Sequence, residues 1–226
     1  MKKTLMASLA ALALSAGMAS AATVNYVVNG SFEERIDNDG TRNVDWDRMI
    51  TSRNWNTYTG GIPGWQVGAG RLELQANSHR GWTSQDGYFH AELDSHYDQN
   101  SNSMIYQDIA LQAGQYELSF FYQPRVRVPA SSNGIAYSIL GSNSVSGSVT
   151  GPDGIYQYNT WNEVTQRFTL DSDETVRLVF SATGRSDTLG GYIDNVSIAP
   201  VPIPAAGMML LSVLGGLVAM RRRHKA

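Results

Sequence analysis

The chain has 226 residues, a formal net charge of -3 and no cysteine, which excludes disulfides, thiolate metal sites and cysteine nucleophiles. Its charge is uneven, because two of the 17 basic residues lie near the N-terminus and four near the C-terminus. Residues 22–200 therefore hold 11 Arg, no Lys and all 20 acidic residues, a net charge of -9. Such a balance argues against nucleic acid as a partner and is compatible with divalent cations.

The first 21 residues have the three parts of a secretory signal peptide. Lys2 and Lys3 are followed by an apolar segment from Leu5 to Met18 and by the small residues at 19–21. This order predicts export by the Sec route and a mature chain that starts at Ala22. We therefore expect residues 22–200 to form one exported domain, whose 179 residues suffice for a single core.

A long segment without clear periodicity, residues 35–63, follows the turn signal Asn29-Gly30. Loops of this length in compact domains are usually functional or disordered. It contains four Asp residues together with Trp46, Trp55 and Tyr58, so a binding loop and a partly ordered excursion are both open.

Short segments with alternating apolar residues fill the rest of the domain. The alternation is clearest in Val176, Leu178, Phe180 and Ala182. An initial strand is predicted at 23–28, and ten more at 65–67, 71–75, 87–94, 103–111, 115–123, 134–140, 144–149, 161–170, 175–182 and 191–198. Strands with such spacing predict an all-β sandwich or barrel.

The order of motifs in this domain resembles the galactose-binding-like jelly-roll β-sandwich of many carbohydrate-binding modules. The motifs are Asn-Gly-Ser-Phe-Glu at 29–33, Pro-Gly-Trp at 63–65, His-Ala-Glu-Leu-Asp at 90–94 and Gly-Tyr-Ile-Asp-Asn-Val-Ser-Ile at 191–198. The resemblance implies a structural Ca²⁺ between the first and last strands, with Glu33 and Asp194 as the matching ligands. The alternative is that backbone N–H groups or Arg satisfy both acids.

A polar row in the strand at 87–94 is the candidate carbohydrate site. His90, Glu92 and Asp94 share one face with Tyr88. If this strand pairs with the one at 115–123, Arg125 would join them, with Trp82 and Tyr97 as stacking candidates from loops. Planar polar groups beside an aromatic face bind sugars in this way. A buried Arg–carboxylate network that stabilises the sandwich explains the row equally well.

Catalytic motifs are absent from the sequence. It has no HExxH or GxSxG motif, and His79, His90 and His96 lack a metal-binding spacing. Glu92 and Asp94 are adjacent on one strand and cannot flank a sugar from opposite sides. We therefore expect a protein that is not an enzyme.

The last 26 residues resemble a protein-sorting signal. Val201, Pro202, Ile203, Pro204 and Ala205 begin an uncharged segment, 203–220, which is followed by the basic cluster 221–225. Such a segment is long enough to span a bilayer, with the basic cluster on its cytoplasmic side. The order is similar to the VPLPA-CTERM variant of the PEP-CTERM signals of Gram-negative bacteria, with Ile203 in place of Leu. An ordinary membrane anchor that is never cut is the alternative.

This second resemblance implies a destination and partners. The family is cleaved by exosortase-type enzymes, so we expect transient anchoring in the inner membrane and then display at the cell surface or in the extracellular matrix. Together with the polar row, it leads to the hypothesis of a non-catalytic protein that binds a polysaccharide of the matrix or envelope. The alternative is a structural biofilm protein with no sugar site, which assembles through its own edges or partners.

Overall fold

The protein is a two-layer β-sandwich in a computed structural model that describes residues 24–36, 42–43, 55–77, 82–95, 101–152 and 159–201. The strands are β1 (Arg35–Ile36), β2 (Arg42–Asn43), β3 (Trp55–Tyr58), β4 (Gln66–Ala69), β5 (Leu72–Ala76), β6 (Phe89–Glu92), β7 (Met104–Leu111), β8 (Gly114–Gln123), β9 (Ile135–Leu140), β10 (Val145–Val149), β11 (Asn162–Leu170), β12 (Glu174–Ala182) and β13 (Tyr192–Pro200). A 3-10 turn at Ala130–Ser132 is the only helical element in these ranges. The prediction of an all-β sandwich is confirmed.

Two antiparallel sheets form the layers. One has five strands in the order β10-β9-β12-β7-β4, and the other has six in the order β11-β8-β13-β6-β5-β3. β1 and β2 pair separately. The ten strands predicted between residues 65 and 198 correspond to β4 to β13.

The core between the sheets follows from the period-two pattern. Val176, Leu178 and Phe180 of β12 are fully buried, whereas Thr175 before them and Arg177 between them are exposed. Aromatic rings fill the centre, with Phe120 packed edge-on against Phe180 at 4.9 Å and Trp65 6.0 Å from the same ring. Buried rings of this size contribute a large share of the hydrophobic stabilisation.

The prediction of a strand at 23–28 is wrong for the part that the structure describes. Residues 24–26 lie beside β13 without forming a ladder, because the Asn25 side chain takes the place of the main chain: Asn25 Oδ1 accepts from Ile198 N at 3.1 Å and from Val27 N at 2.9 Å. Only Tyr26 N makes a main-chain bond, to Ile198 O at 2.9 Å. Phe32 is buried and lies in a turn with φ of 58°.

Several predicted features fall outside the described residues. They are the signal peptide, Pro202 onward in the sorting signal, Trp46 and Tyr97. Across the described part of the chain, no helix has the length and apolar character needed to cross a membrane. The leader and the sorting signal therefore stay predictions.

Candidate functional site

The candidate site is a layer of polar side chains on the outer face of the six-stranded sheet, and we call it the polar layer. Its members come from four adjacent strands or follow one of them, and all are at most 3% exposed: Glu73, Gln75, His90, Glu92, Asp94, Gln123, Arg125 and Tyr192. In β5 and β6 these residues alternate with Leu72, Leu74 and Ala91, which face the core. The same alternation that builds the core thus builds the layer behind it.

The condition set for this site, direct pairing of the strand at 87–94 with the one at 115–123, is not met. β13 lies between them, and its Tyr192 is opposite Glu92 on one side and Gln123 on the other. Arg125 nevertheless reaches across Tyr192 to Glu92, because its long side chain passes over the phenol ring with the guanidinium 5.9 Å from the ring centre. The proposed partners are therefore in contact even though their strands are not neighbours.

Arg125 and Glu92 form a buried ion pair at the centre of the polar layer. Arg125 Nη1 also donates to Thr188 O at 3.2 Å, and its guanidinium lies 5.2 Å from the centre of the Trp82 ring. Glu92 accepts further bonds from Gln75 Nε2 and from Gly190 N, the latter at 2.9 Å. The pair is thus held on both sides by groups that fix its geometry.

Acids outnumber the single guanidinium in this layer. Burial raises the pKa of Glu92 well above its ordinary value; Arg125 opposes the rise, and the carboxylates of Glu73 and Asp94 add to it. Burial also raises the pKa of Asp94, although hydrogen bonds from Ser101 and from the Leu189 N–H favour its charged form. The layer therefore carries an excess of negative or protonated oxygen atoms.

A cover of residues 82–87 and Trp161 lies over the polar layer. Trp82 packs edge-on against Tyr192 at 4.7 Å, and His90 packs edge-on against Trp161 at 5.7 Å. Ser84 Oγ and His90 Nδ1 are 3.0 Å apart, and Trp161 Nε1 donates to Thr83 O at 2.9 Å. The cover is also bonded to the rest of the sandwich through residues 84–86: Ser84 N donates to Asn77 Oδ1, Gln85 N and Asp86 N donate to Asp194 Oδ2, and Asn195 Nδ2 donates to Gln85 Oε1.

Three acceptor atoms of the polar layer have no hydrogen-bond partner in the structure. They are Gln75 Oε1, Gln123 Oε1 and Asp94 Oδ1. The orientation of the Gln75 amide is fixed, because its Nε2 lies between the carboxylates of Glu73, at 2.9 Å, and Glu92. Buried acceptors without partners are costly and usually mark places for water, an ion or a ligand.

The predicted carbohydrate residues therefore have a defined place. His90, Glu92, Asp94 and Arg125 are together, and Trp82 at 2% exposure lies over them. Of the two explanations of the row, the buried Arg–carboxylate network describes these contacts, and the solvent-facing platform does not. Their part in sugar binding stays a prediction.

Glu33 and Asp194, the predicted calcium ligands, lie near the start of β6, whereas Asp94 follows its end. Glu33 Oε1 accepts from Tyr88 N at 2.7 Å and Phe89 N at 2.9 Å. Asp194 Oδ2 accepts from Gln85 N and Asp86 N at 2.8 and 3.0 Å. Backbone capping, the alternative explanation, is thus what the contacts show, and no three His, Asp or Glu residues in the described ranges are grouped as a metal site.

The pair still has the electrostatics of a cation site. Burial raises the pKa of Asp194 to about 8, against three backbone hydrogen bonds, and the nearby charge of Glu33 adds to the rise. A buried carboxylate beside a second, partly buried one favours a proton or a cation between them. A Ca²⁺ ion held by Glu33 and Asp194 would supply that charge, so its binding stays a proposal.

Sequence reasoning missed Glu73, Gln75 and Tyr192 as members of the layer. Glu73 and Gln75 alternate with Leu72 and Leu74 in β5, a signal that the sequence contains. What it does not contain is the neighbour of each strand, since β5, β6, β13 and β8 are distant along the chain.

In the comparison with known proteins, no family model matches the chain. It is 29% identical to halomucin of Haloquadratum walsbyi over 185 residues. The matched region covers 80% of this chain but only 2% of the length of halomucin. Similar solved structures include the module TmCBM61 in complex with beta-1,4-galactotriose, with a TM-score of 0.45, 18% identity and coverage of 79% of this chain and 99% of that one.

Two more carbohydrate-binding modules are similar at a comparable level. A family 16 module has a TM-score of 0.41 and 12% identity, covering 77% of this chain and 99% of its own. The CBM22-1 xylan-binding domain from Paenibacillus barcinonensis has a TM-score of 0.40 and 11% identity, covering 66% and 94%. Similarity of this degree assigns neither a family nor a ligand to the chain.

Proposed function

We propose that this chain is an exported, non-catalytic protein whose galactose-binding-like jelly roll binds carbohydrate in the polar layer. The observation that carries the proposal is the set of buried acceptors without partners, Gln75 Oε1, Gln123 Oε1 and Asp94 Oδ1, beside aromatic rings. Planar polar groups and a ring face are the two components that sugar sites combine.

The chemistry of these atoms favours a neutral glycan. All three acceptors need hydrogen-bond donors, and a sugar hydroxyl is a donor. A uronic acid would bring another negative charge into a layer where Glu73, Glu92 and Asp94 face the single guanidinium of Arg125. Burial of an uncompensated charge is strongly unfavourable, so acidic polysaccharides are expected to bind poorly.

Access to the layer requires movement of the cover. Trp161 is only partly buried, and its Nε1 donates to Thr83 O. Thr83 N in turn donates to Asn159 Oδ1 at 2.8 Å. Displacement of Trp82 and Thr83 would exchange these two bonds for bonds to the ligand, whereas Gln85 and Asp86 are held by Asp194 Oδ2. Binding should therefore change the fluorescence of Trp82 and Trp161, which pack against the layer.

Affinity electrophoresis in gels with neutral or uronic-acid polysaccharides tests the proposal. Neutral polysaccharides should retard the protein and acidic ones should not. Gln123→Leu removes an acceptor without leaving a charge, so we expect retardation to weaken about tenfold, the equivalent of one or two lost hydrogen bonds. Gln115→Leu is the matched control, because Gln115 is exposed on the same strand.

Two results would overturn this proposal. One is the absence of retardation by every neutral polysaccharide, including the producer's own. The other is unchanged binding by Gln123→Leu at equal thermal stability of both variants. Retardation by acidic polysaccharides alone would exclude the neutral glycan and the layer as its site.

The location we propose comes from the two ends of the chain. The leader and the VPLPA-like tail support export, sorting by an exosortase-type enzyme and an exopolysaccharide or envelope glycan as the ligand. Mass spectrometry of the surface-released protein is expected to find a chain that starts at Ala22 and ends near Val201. A released or membrane-bound chain that keeps residues 221–225 would contradict sorting by cleavage.

A second candidate function is a structural matrix protein without a sugar site. The observation in its favour is that Arg125 and Glu92 are buried and already paired with each other, so the polar layer can act as a stabilising network. The two functions differ in a simple measurement. Altered matrix architecture after gene deletion, combined with no binding on glycan arrays, would favour the structural role.

A further inference from the structure

The exposed edge of β10 differs from the edges formed by β4 and β11. β4, at the far end of the same sheet, has a register shift between Val67 and Ala69 that interrupts pairing. β11, on the neighbouring sheet, has exposed Glu163 and Arg167. Bulges and charges of this kind prevent edge-to-edge association, and β10 has neither along Val145–Val149.

The sequence of β10 is symmetric about its central residue. It reads Val-Ser-Gly-Ser-Val from 145 to 149. Ser146 and Ser148 are exposed, whereas Val145 and Val149 are partly exposed and pack against the core. An added Cβ at Gly147 would lie 2.3 Å from Tyr137 Oη, so the strand needs glycine there.

We propose that β10 binds a second copy of this chain by antiparallel strand pairing, with a two-fold axis at Gly147. The symmetry of the strand places Ser146 opposite Ser148 of the second copy and Val145 opposite Val149. In an antiparallel ladder, alternate residues direct their N–H and C=O groups to the same side. Either alternate set of β10 is symmetric about Gly147, so both copies offer matching donors and acceptors.

Contacts at the β9–β10 turn hold the edge in place before a partner arrives. Glu174 accepts from Ser142 N at 3.0 Å and from Ser142 Oγ at 2.6 Å. Asn143 Nδ2 donates to Asp171 Oδ2 at 2.8 Å and to Thr169 O at 3.3 Å. An ordered edge loses less conformational entropy on pairing, which favours association.

Charge selects the antiparallel orientation over the parallel one. The β9–β10 turn is bonded to Asp171, in the turn after β11, and to Glu174, at the start of β12, whereas β10 itself is uncharged. Antiparallel pairing aligns residue 142 with residue 152 of the second copy, so the acidic turns are about 33 Å apart at about 3.3 Å per residue. Charges so far apart are screened, since the Debye length is about 8 Å at physiological salt. A parallel pair would place the two turns side by side.

Cysteine cross-linking tests the register directly, because the chain has no native cysteine. In the proposed pair, residue 146 of one copy is opposite residue 148 of the other, within reach of a disulfide. A mixture of Ser146→Cys and Ser148→Cys proteins should form a disulfide-linked dimer under mild oxidation, with a yield about tenfold above either variant alone, since only opposed residues have suitable geometry. Equal yields in all three samples would overturn the register.

The oligomeric state tests the interface without added cross-links. Analytical ultracentrifugation of the purified full-length protein should detect a concentration-dependent dimer. Ser146→Lys/Ser148→Lys places like charges opposite each other and should weaken the dimer about tenfold, or 1.4 kcal/mol. Gln115→Lys/Thr175→Lys is the matched control, since both residues are exposed and lie on strands inside the sheets.

The outcomes separate clearly. Dimers of wild type and control, with a weaker dimer of the β10 variant at equal thermal stability, support the proposal. A monomer at every concentration, or a β10 variant that dimerises like the control, overturns it. Neither result depends on carbohydrate binding.

Discussion

The Arg125–Glu92 pair is the residue-scale feature with the largest energetic consequence. Both side chains are almost completely inaccessible, so neither charge is solvated by bulk water. A buried pair is not strongly stabilising relative to apolar residues of the same shape, but loss of one partner leaves the other charge uncompensated. The pair therefore behaves as a unit.

We expect Arg125→Ala to lower the free energy of unfolding by about 3–5 kcal/mol, because Glu92 would remain buried without its counter-ion. Glu92→Gln/Arg125→Met removes both charges and should lose less than Arg125→Ala alone. Urea denaturation at constant pH measures both values.

Arg177→Ala is the control for this prediction. Arg177 pairs with Asp108 at 2.6 Å, but both side chains are more than one-third exposed, and exposed pairs contribute little to stability. A similar loss for Arg177→Ala and Arg125→Ala would contradict the argument that burial decides the effect.

Asp194 should make stability depend on pH. Its pKa is raised to about 8 in the folded protein, mainly by burial, from an ordinary value of 3.8. Between these values the folded state holds a proton that the unfolded state has lost. Stability therefore falls as pH rises, with a slope of up to about 1.4 kcal/mol per pH unit from this group.

Denaturation between pH 5 and pH 8 in a chelating buffer measures this slope. Asp194→Asn should reduce the slope by this contribution, since the amide cannot ionise, and the raised pKa values of Glu92 and Asp94 should leave a residual slope of the same sign. Added Ca²⁺ should raise the melting temperature at pH 8 if Glu33 and Asp194 hold the ion, and Glu33→Ala or Asp194→Ala should abolish that gain. A calcium-independent melt would leave backbone capping as the whole explanation of these acids.

Individual residues were partly predictable from the sequence. The alternation of Phe89, Ala91 and Leu93 with His90, Glu92 and Asp94 correctly separated the core face from the polar face of β6. Burial of the polar face was left open, because it depends on Trp82 and the rest of the cover, which come from a loop. Local periodicity contains no information about what a loop covers.

At the scale of elements, the segment before β1 depends on one close contact. Gly30 lies against β13, where Val196 N donates to Gly30 O at 2.9 Å. An added Cβ at Gly30 would lie 2.0 Å from Val196 O and 3.0 Å from Val196 C, which are both backbone atoms. A side-chain rotation therefore cannot relieve the clash.

We expect Gly30→Ala to lower the free energy of unfolding by about 1–3 kcal/mol, the usual cost of an overpacked site. Local opening of residues 24–34 should also increase, as hydrogen exchange can detect. Gly60→Ala is the matched control, since an added Cβ there has no neighbour within 4 Å. Equal effects of the two substitutions would argue against close docking of this segment.

The elements themselves were the most predictable level. Strands such as β11 and β12 combine strict alternation with turn residues at both ends, so their existence follows from local pattern. The segment at 23–28 failed because the Asn25 side chain replaces a main-chain ladder. The position of β13 between β6 and β8 was also unpredictable, because strand order depends on long-range packing rather than on local sequence.

At the scale of the whole molecule, carbohydrate binding and dimerisation use different surfaces and can occur together. The polar layer lies on the outer face of the six-stranded sheet, toward β5 and β6, whereas β10 is the edge of the other sheet. A dimer formed through β10 would leave both layers available. Two linked sites can engage one polymer together, and the second contact then becomes intramolecular.

This arrangement predicts different behaviour toward short and long glycans. Wild type should bind a polymer about 100-fold more tightly than an oligosaccharide of the same sugar, the usual order for bivalent engagement. Ser146→Lys/Ser148→Lys should keep its oligosaccharide affinity and lose most of the polymer advantage, because its sites are separate molecules. Calorimetry measures the affinity for the oligosaccharide, and affinity electrophoresis measures the affinity for the polymer. If this variant still binds the polymer about 100-fold more tightly than the oligosaccharide, the tighter binding must arise within one chain, from a site longer than the oligosaccharide.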